Sequence, residues 1–136
     1  MATETPTRDS NDEATDEAVK LSVPASLEYV RIVRLTGSGV ASRLGFDVEE
    51  IENFRVALDE LASMAIDVAC GGELEMTFFT TDTELRVEGR APIADGVEVA
   101  VESLTAQILK AVIDDYELRA DDGQVRFSCV TRRPLV

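Results

Sequence analysis

The chain has 136 residues, of which 45% are hydrophobic and 29% charged, and its 27 acidic against 13 basic side chains give a net charge of -14. This length suits one domain with its own core, and the negative field repels nucleic-acid phosphates and anionic lipid headgroups. The composition therefore argues against direct nucleic-acid or membrane binding and favours a basic protein partner. Two cysteines and no histidine are too few for a disulfide framework or a zinc site, so any chemistry has to use carboxylates.

Residues 1–19 form an acidic segment that we expect to be a disordered tail. It holds six acids against one base and almost no large apolar side chain, which leaves too little burial to offset the entropy of ordering. Its net charge of -5 leaves -9 for residues 20–136, which we expect to form one folded domain. No apolar run approaches the roughly 18 residues that cross a bilayer, and no signal-peptide pattern opens the chain, so the sequence predicts a cytoplasmic protein.

The first predicted elements are a short edge strand and a helix. KLSVP alternates polar and apolar residues over 20–24 and stops at Pro24. Apolar residues then recur at helical spacing from Leu27, with Ser26 as a possible cap and Gly45 as the stop. The Gly-Ser-Gly at 37–39 could be a phosphate loop or a place of close helix packing, and packing is favoured because no strand precedes it and no lysine follows.

The second helix has the clearest local pattern. Asp47 and Glu50 have the spacing of a capping box, and the helix is expected to end at Gly71-Gly72. Between them lies an apolar stripe with helical spacing: Ile51, Phe54, Leu58, Leu61, Ala65 and Val68. An acidic pair, Asp59 and Glu60, interrupts this helix, and the residues alone leave open whether Glu60 is catalytic or a solvated charge.

The rest of the chain predicts a hairpin, a helix and a second hairpin. Two β-rich runs, 73–81 and 83–90, are joined by a turn. Helical spacing follows over 100–116, with an apolar side made of Val101, Leu104, Ile108, either Val112 or Leu109, and Tyr116. Two last runs, 116–120 and 124–132, meet at Asp-Asp-Gly. The order β-α-α-β-β-α-β-β predicts an α+β fold, a two-layer sandwich with helices on one face of a mainly antiparallel sheet.

The stretch LEYVRIVRLTGSGVASRLGFDVEEIENFRVALDE, residues 27–60, resembles the N-terminal half of the RsbW/SpoIIAB anti-sigma factors. These are serine kinases of the GHKL (Bergerat, histidine-kinase-like) ATPase superfamily, and the resemblance covers about residues 20–133. In that family a helix carries Glu-x-x-x-Asn, in which the glutamate is the base and the asparagine holds Mg²⁺ against ATP. The matching residues here are Glu60 and Met64, and a thioether is a poor ligand for Mg²⁺.

Two further family elements are also altered. The Asp-x-Gly stretch that binds adenine corresponds to Ala-Pro-Ile at 91–93, and the glycine-rich lid corresponds to Val-Glu-Ser-Leu at 101–104. The resemblance therefore implies a degenerate kinase site with no metal or nucleotide ligands and with ATP–Mg²⁺ doubtful as a cofactor. Glu60 keeps the position of the family base without its surroundings.

The resemblance also implies partners. Arg31 and Arg34 lie three apart on the first helix, in the region where the family contacts its sigma factor and the STAS-type anti-anti-sigma protein. It thus implies a homodimeric anti-sigma factor of a stress-response type, which sequesters a sigma factor by direct binding and is released by partner switching. The alternatives are a slow serine kinase acting on an anti-anti-sigma factor through Glu60, and a scaffold that binds only the antagonist.

Overall fold

The computed structural model describes residues 17–133, and its elements follow the order that the sequence predicts. The strands are β1 (Glu17–Pro24), β2 (Glu73–Thr80), β3 (Glu84–Pro92), β4 (Asp115–Asp121) and β5 (Gln124–Arg132). The helices are α1 (Val30–Arg43), α2 (Val48–Val68) and α3 (Ser103–Val112), and a 3-10 turn (Leu27–Tyr29) precedes α1.

The five strands form one antiparallel sheet in the order β1-β2-β3-β5-β4, so β1 is an edge strand as predicted. Both predicted hairpins are present. In the β4–β5 turn, Asp122 and Gly123 have positive φ values of 53° and 74°, as in the two-residue turn that matches the twist of an antiparallel pair.

The two faces of the sheet differ because side chains alternate along each strand. The large apolar side chains buried on the three central strands are Leu74, Met76 and Phe78, then Leu85 and Val87, then Val125, Phe127 and Cys129. On the other face, charged residues stand directly opposite one another, as in Arg90–Glu75 at 2.7 Å and Arg132–Glu84 at 3.3 Å. One apolar and one charged face confirm the two-layer α+β prediction.

The helices pack as the sequence predicts. The capping box at the start of α2 is present: the Glu50 backbone N–H donates to Asp47 Oδ1 at 2.8 Å, and the Asp47 backbone N–H donates to Glu50 Oε1 at 2.7 Å. Gly37 of α1 is buried where a Cβ atom would meet the side chains of Leu58 and Phe54 on α2. Close helix packing is therefore the reason for glycine at position 37.

The boundaries depart from the predictions at three places. β1 begins at Glu17, three residues inside the predicted tail, and residues 1–16 lie outside the described part of the chain. Helical structure begins with the 3-10 turn, and Ser26 makes no side-chain capping bond. The third helix ends at Val112, so Tyr116 belongs to β4, and Leu104 is 68% exposed rather than on a buried side. No helix among residues 17–133 is long and apolar enough to span a bilayer.

Candidate functional site

Asp59 and Glu60, the acidic pair of α2, differ in their contacts. Asp59 accepts a hydrogen bond from Nε of Arg34 on α1, at 3.0 Å to Oδ1 and 3.2 Å to Oδ2. Both side chains are about one-third exposed. The side chain of Glu60 is half-buried and forms no hydrogen bond or ion pair with any residue between 17 and 133. Asp59 thus joins the two helices, while Glu60 is left unpaired.

Met64 lies one helical turn after Glu60 and is half-buried against the core. Positions four apart share one side of a helix, so the two side chains are neighbours, at the positions that the sequence resemblance assigns to the family's base and metal ligand. The thioether offers a soft donor, whereas Mg²⁺ takes hard oxygen ligands in near-octahedral geometry. The pair therefore lacks the donor that would fix a magnesium ion beside Glu60.

The segment in place of the adenine-binding stretch is built into the fold. Ala91 is only 1% exposed and belongs to the core. The backbone of the next two residues is engaged: Pro92 O accepts from the Cys70 N–H at 2.9 Å, and the Ile93 N–H donates to Gly123 O at 2.9 Å. Residues 91–93 thus close the end of the sheet and present no carboxylate to a base.

The segment that the sequence resemblance assigns to the lid lies in the connection between β3 and α3. Residues 97–102 alternate in burial, with valines at 97, 99 and 101 partly buried against the core and Glu98, Ala100 and Glu102 exposed. We call residues 97–102 the strap. Of the predicted lid positions 101–104, the first two belong to the strap and the last two to the first turn of α3. The strap contains no glycine, and its three valines fix it against the core.

A groove of about 400 Å³ lies between the second half of α2, the strap, the start of α3 and β4. It is lined by Met64, Asp67, Val68, Glu98, Val99, Ala100, Glu102, Thr105 and Leu118. Three of these residues are acidic and none is basic. An ATP–Mg²⁺ complex needs donors or cations for its phosphates, and this lining offers one hydroxyl, that of Thr105, and no cationic side chain. Its three carboxylates repel the phosphates. The residues present do not fit the nucleotide.

Arg31 and Arg34, the two arginines predicted to contact partners, differ in their surroundings. Arg31 is exposed and has no hydrogen-bond or ion-pair partner among residues 17–133. Arg34 was expected beside Arg31 in the partner-binding region, and in the structure its guanidinium is held by Asp59. Its contact with a partner stays a prediction, since the structure shows only its contact between the two helices.

The helical spacing of the sequence did not separate buried from exposed apolar residues on the first helix. Val30 and Val33 are buried, whereas Leu27, Ile32 and Leu35 are 53%, 42% and 64% exposed. Position 35 is four residues from position 31 and three from position 32, so the Leu35 side chain neighbours both on the surface of α1. We call Leu27, Arg31, Ile32 and Leu35 the α1 face: a cation among three exposed apolar side chains.

No protein-family model matches the chain, but individual proteins do. The chain is 27% identical over 132 residues to a serine-protein kinase RsbW of Halalkalibacterium halodurans, covering 80% of both chains. It is 40% identical over 73 residues to the serine-protein kinase RsbW of Bacillus subtilis, covering 51% of this chain and 46% of the relative. It is 44% identical over 59 residues to that of Bacillus pumilus, covering 36% of the relative.

The fold has a solved counterpart. The crystal structure of the RsbU and RsbW domains of Rv1364c from Mycobacterium tuberculosis superimposes with a TM-score of 0.68 over 87% of this chain and 33% of that one, at 14% identity. The resemblance seen in the sequence is thereby confirmed at the level of fold and relatives. The chain has an RsbW-like fold of the GHKL type.

Proposed function

We propose that the protein is an anti-sigma factor that acts in the cytoplasm and sequesters a sigma factor through the α1 face. The single observation that supports this most is Arg31, an unpaired exposed cation flanked by three exposed apolar side chains on an RsbW-like fold. Exposed apolar groups around an arginine are the composition of an energetic centre in a protein interface. Release is proposed to occur by exchange with a STAS-type anti-anti-sigma protein.

The residues in the nucleotide region favour binding over catalysis. Losing the metal ligand beside Glu60 removes charge neutralisation from phosphoryl transfer, which in such reactions provides most of the rate. A slow serine kinase using Glu60 remains the second candidate, because the half-buried carboxylate keeps its position on α2. The kinase would need ATP to release the sigma factor, whereas the non-catalytic anti-sigma factor would not.

The acidic surface is consistent with a basic partner. The net charge of -14 gives long-range attraction to surfaces that themselves bind DNA, which raises association rates and makes them salt-dependent. Binding through the α1 face should therefore have a salt-sensitive on-rate and an off-rate set by the apolar contacts.

We also propose a homodimer through β1. This strand is eight residues long and lies at the edge of the sheet, so one side of its backbone is unpaired within residues 17–133. Pairing there leaves the α1 face open, whereas a dimer through α1 would cover it. Light scattering on the full chain tests the dimer, and replacing the exposed Val19 with proline should reduce it to monomer if β1 is the interface.

The test of sequestration is co-purification of the tagged full chain with sigma factors of its host, followed by calorimetry on the captured pair. Arg31→Ala should weaken binding about tenfold or more, because a central interface arginine is worth at least 1.4 kcal/mol. Lys110→Ala is the matched control: it removes one exposed positive charge from the last turn of α3 and should leave binding unchanged.

Other outcomes separate the alternatives. Capture of a STAS-type protein without any sigma factor would mean a scaffold for the antagonist alone. Release of the sigma factor only in the presence of ATP and Mg²⁺, together with phosphate on the antagonist, would mean that the kinase is retained.

A further inference from the structure

The groove beside the strap is a second candidate binding surface, at the opposite end of α2 from its capping box. Its floor is apolar, with Met64, Val68 and Leu118, and its rim carries the carboxylates of Asp67, Glu98 and Glu102. Glu98 and Glu102 alternate with the partly buried valines, so the alternation of the strap directs them outward. The groove thus combines an apolar floor with a rim of one charge sign.

The rim carboxylates are not neutralised within the fold. Asp67, Glu98 and Glu102 are exposed, and their side chains form no hydrogen bond or ion pair with other residues in the range 17–133. Several other acids of the sheet surface pair with arginines, such as Glu75 with Arg90 on the neighbouring strand. A groove lined by three unpaired carboxylates and no base attracts a cation.

The cation is not a bare divalent metal. Among residues 17–133, no group of three or more acidic or cysteine side chains is arranged to hold a metal ion. The groove volume of about 400 Å³ and the apolar floor instead match the range of pockets that bury organic groups, roughly 300–1,000 Å³. The side chain that satisfies both features is an arginine or a lysine, with an apolar stem and a charged end.

The backbone of the strap has N–H and C=O groups that could bind a partner's backbone. The N–H and C=O groups of residues 98–101 form no hydrogen bond within the described chain, although the burial alternates as in a strand. An extended segment with free backbone groups accepts another extended segment by strand addition. Partner side chains would then alternate between the apolar floor and the solvent.

We propose that this groove docks an extended segment of a protein partner in which arginine or lysine alternates with apolar residues. The backbone of that segment pairs with residues 98–101, its apolar side chains contact Val99 and Leu118, and its cations meet Glu98 and Glu102. The surface is separate from the α1 face and does not depend on anti-sigma activity.

The test measures fluorescence anisotropy of a labelled nine-residue peptide of alternating valine and arginine, added to the full chain at physiological salt. A peptide of alternating valine and glutamate is the paired probe. We expect the basic peptide to bind at least about tenfold more tightly, since each tenfold step needs only 1.4 kcal/mol. Equal binding of the two peptides would overturn the proposal.

Two variants locate the site. Glu98→Lys reverses one rim charge and should weaken the basic peptide about tenfold, while Glu49→Lys makes the same charge change at an exposed, unpaired position of the first turn of α2 and should change affinity less than about twofold. Equal losses in both variants would mean general attraction to an acidic protein. Unaltered binding in Glu98→Lys would equally refute the site.

Two further measurements test the mode of binding. Ala100→Pro removes an exposed strap N–H without touching the core, and it should weaken the peptide if strand addition contributes. Spermine, a flexible polyamine without a peptide backbone, should compete only weakly. A polyamine that displaces the peptide at matched charge, or an Ala100→Pro variant with full affinity, would show that the groove does not take an extended segment.

Discussion

Arg34 and Asp59 join α1 to α2, with the Arg34 Nε–H shared between both oxygens of the Asp59 carboxylate at 3.0 and 3.2 Å. The pair explains why an acid next to Glu60 belongs to the helix interface. It also distinguishes two neighbouring arginines: Arg34 links the two helices, whereas Arg31 has no hydrogen-bond or ion-pair partner among residues 17–133.

The first prediction is a coupling energy between Arg34 and Asp59. Arg34→Ala, Asp59→Ala and the double variant should give a coupling of about 0.5–1 kcal/mol in the free energy of unfolding, because the pair is one-third exposed and partly screened. Urea unfolding measures it. Arg31→Ala is the control and should leave stability within about 0.5 kcal/mol, since Arg31 has no partner in the described chain. A coupling near zero would show that the pair does not link the helices.

Helix two shows what the sequence can determine. The capping box, the stripe from Phe54 to Ala65 and the following glycines are all local signals, each encoded by residues close together in sequence, so the element was predicted almost to its ends. The hairpins were predicted for the same reason. Turn residues and alternation are encoded over about ten positions, and pairing of neighbouring strands needs no distant information.

The exposed side of α1 and the groove beside the strap could not be predicted from the sequence. Leu27, Ile32 and Leu35 fit helical spacing but lie outside the core, because which side of α1 is buried depends on α2 and the sheet. The groove was missed for a similar reason. Asp67, Glu98 and Leu118 are far apart in sequence, and only the fold brings them to one surface. The spacing of apolar residues predicts whether an element is a helix or a strand. Which of those residues are buried depends on the elements that pack against it.

The second prediction compares two glycines of α1. Gly37→Ala should destabilise the protein by about 1–3 kcal/mol, because the new Cβ meets the side chains of Leu58 and Phe54 in a packed core. Gly39→Ala places the same methyl group where nothing lies within 4 Å, and it should stabilise by up to about 1 kcal/mol through helix propensity. Thermal unfolding of the two variants measures both effects. Similar shifts in the two variants would contradict the packing role of Gly37.

The third prediction concerns the two thiols. Cys70 is exposed, whereas burial raises the pKa of the Cys129 thiol from 9.0 to about 12. A thiol reagent at pH 8 should therefore modify one thiol per folded chain quickly and the second only on unfolding, because the thiolate is the reactive form. Two fast thiols in the folded protein would contradict the burial of Cys129.

The same pKa shift predicts a fourth result, a loss of stability in alkali. Below pH 9 the Cys129 thiol is protonated in both the folded and the unfolded chain. In that range it therefore contributes no pH dependence to the free energy of unfolding. Between pH 9 and about 12 only the unfolded chain releases the proton, which lowers the free energy of unfolding by up to about 1.4 kcal/mol per pH unit. Cys129→Ala should remove this component, so the difference between the two pH profiles isolates it from other groups. Parallel profiles would be evidence against it.

The last prediction concerns nucleotide binding. Calorimetric titration with ATP and Mg²⁺ should give no magnesium-dependent heat with the natural chain, and Met64→Asn should not restore it, because the groove is lined by three carboxylates and no cationic side chain. Met64→Leu, an apolar change of similar size, is the control for packing. Ala91→Asp should destabilise the fold by about 3 kcal/mol, since it buries a carboxyl group in the core.

Binding of ATP in this titration would make Glu60 a candidate catalytic base again. Clear magnesium-dependent binding of ATP by the natural chain would mean that the region around Met64 supplies a metal ligand by another route. Glu60→Gln would then decide between binding and catalysis: it keeps the shape of the side chain, removes the base, and should abolish phosphate transfer to a STAS-type protein while leaving ATP binding in place. Transfer that survives this substitution would exclude Glu60 as the base even in a working kinase.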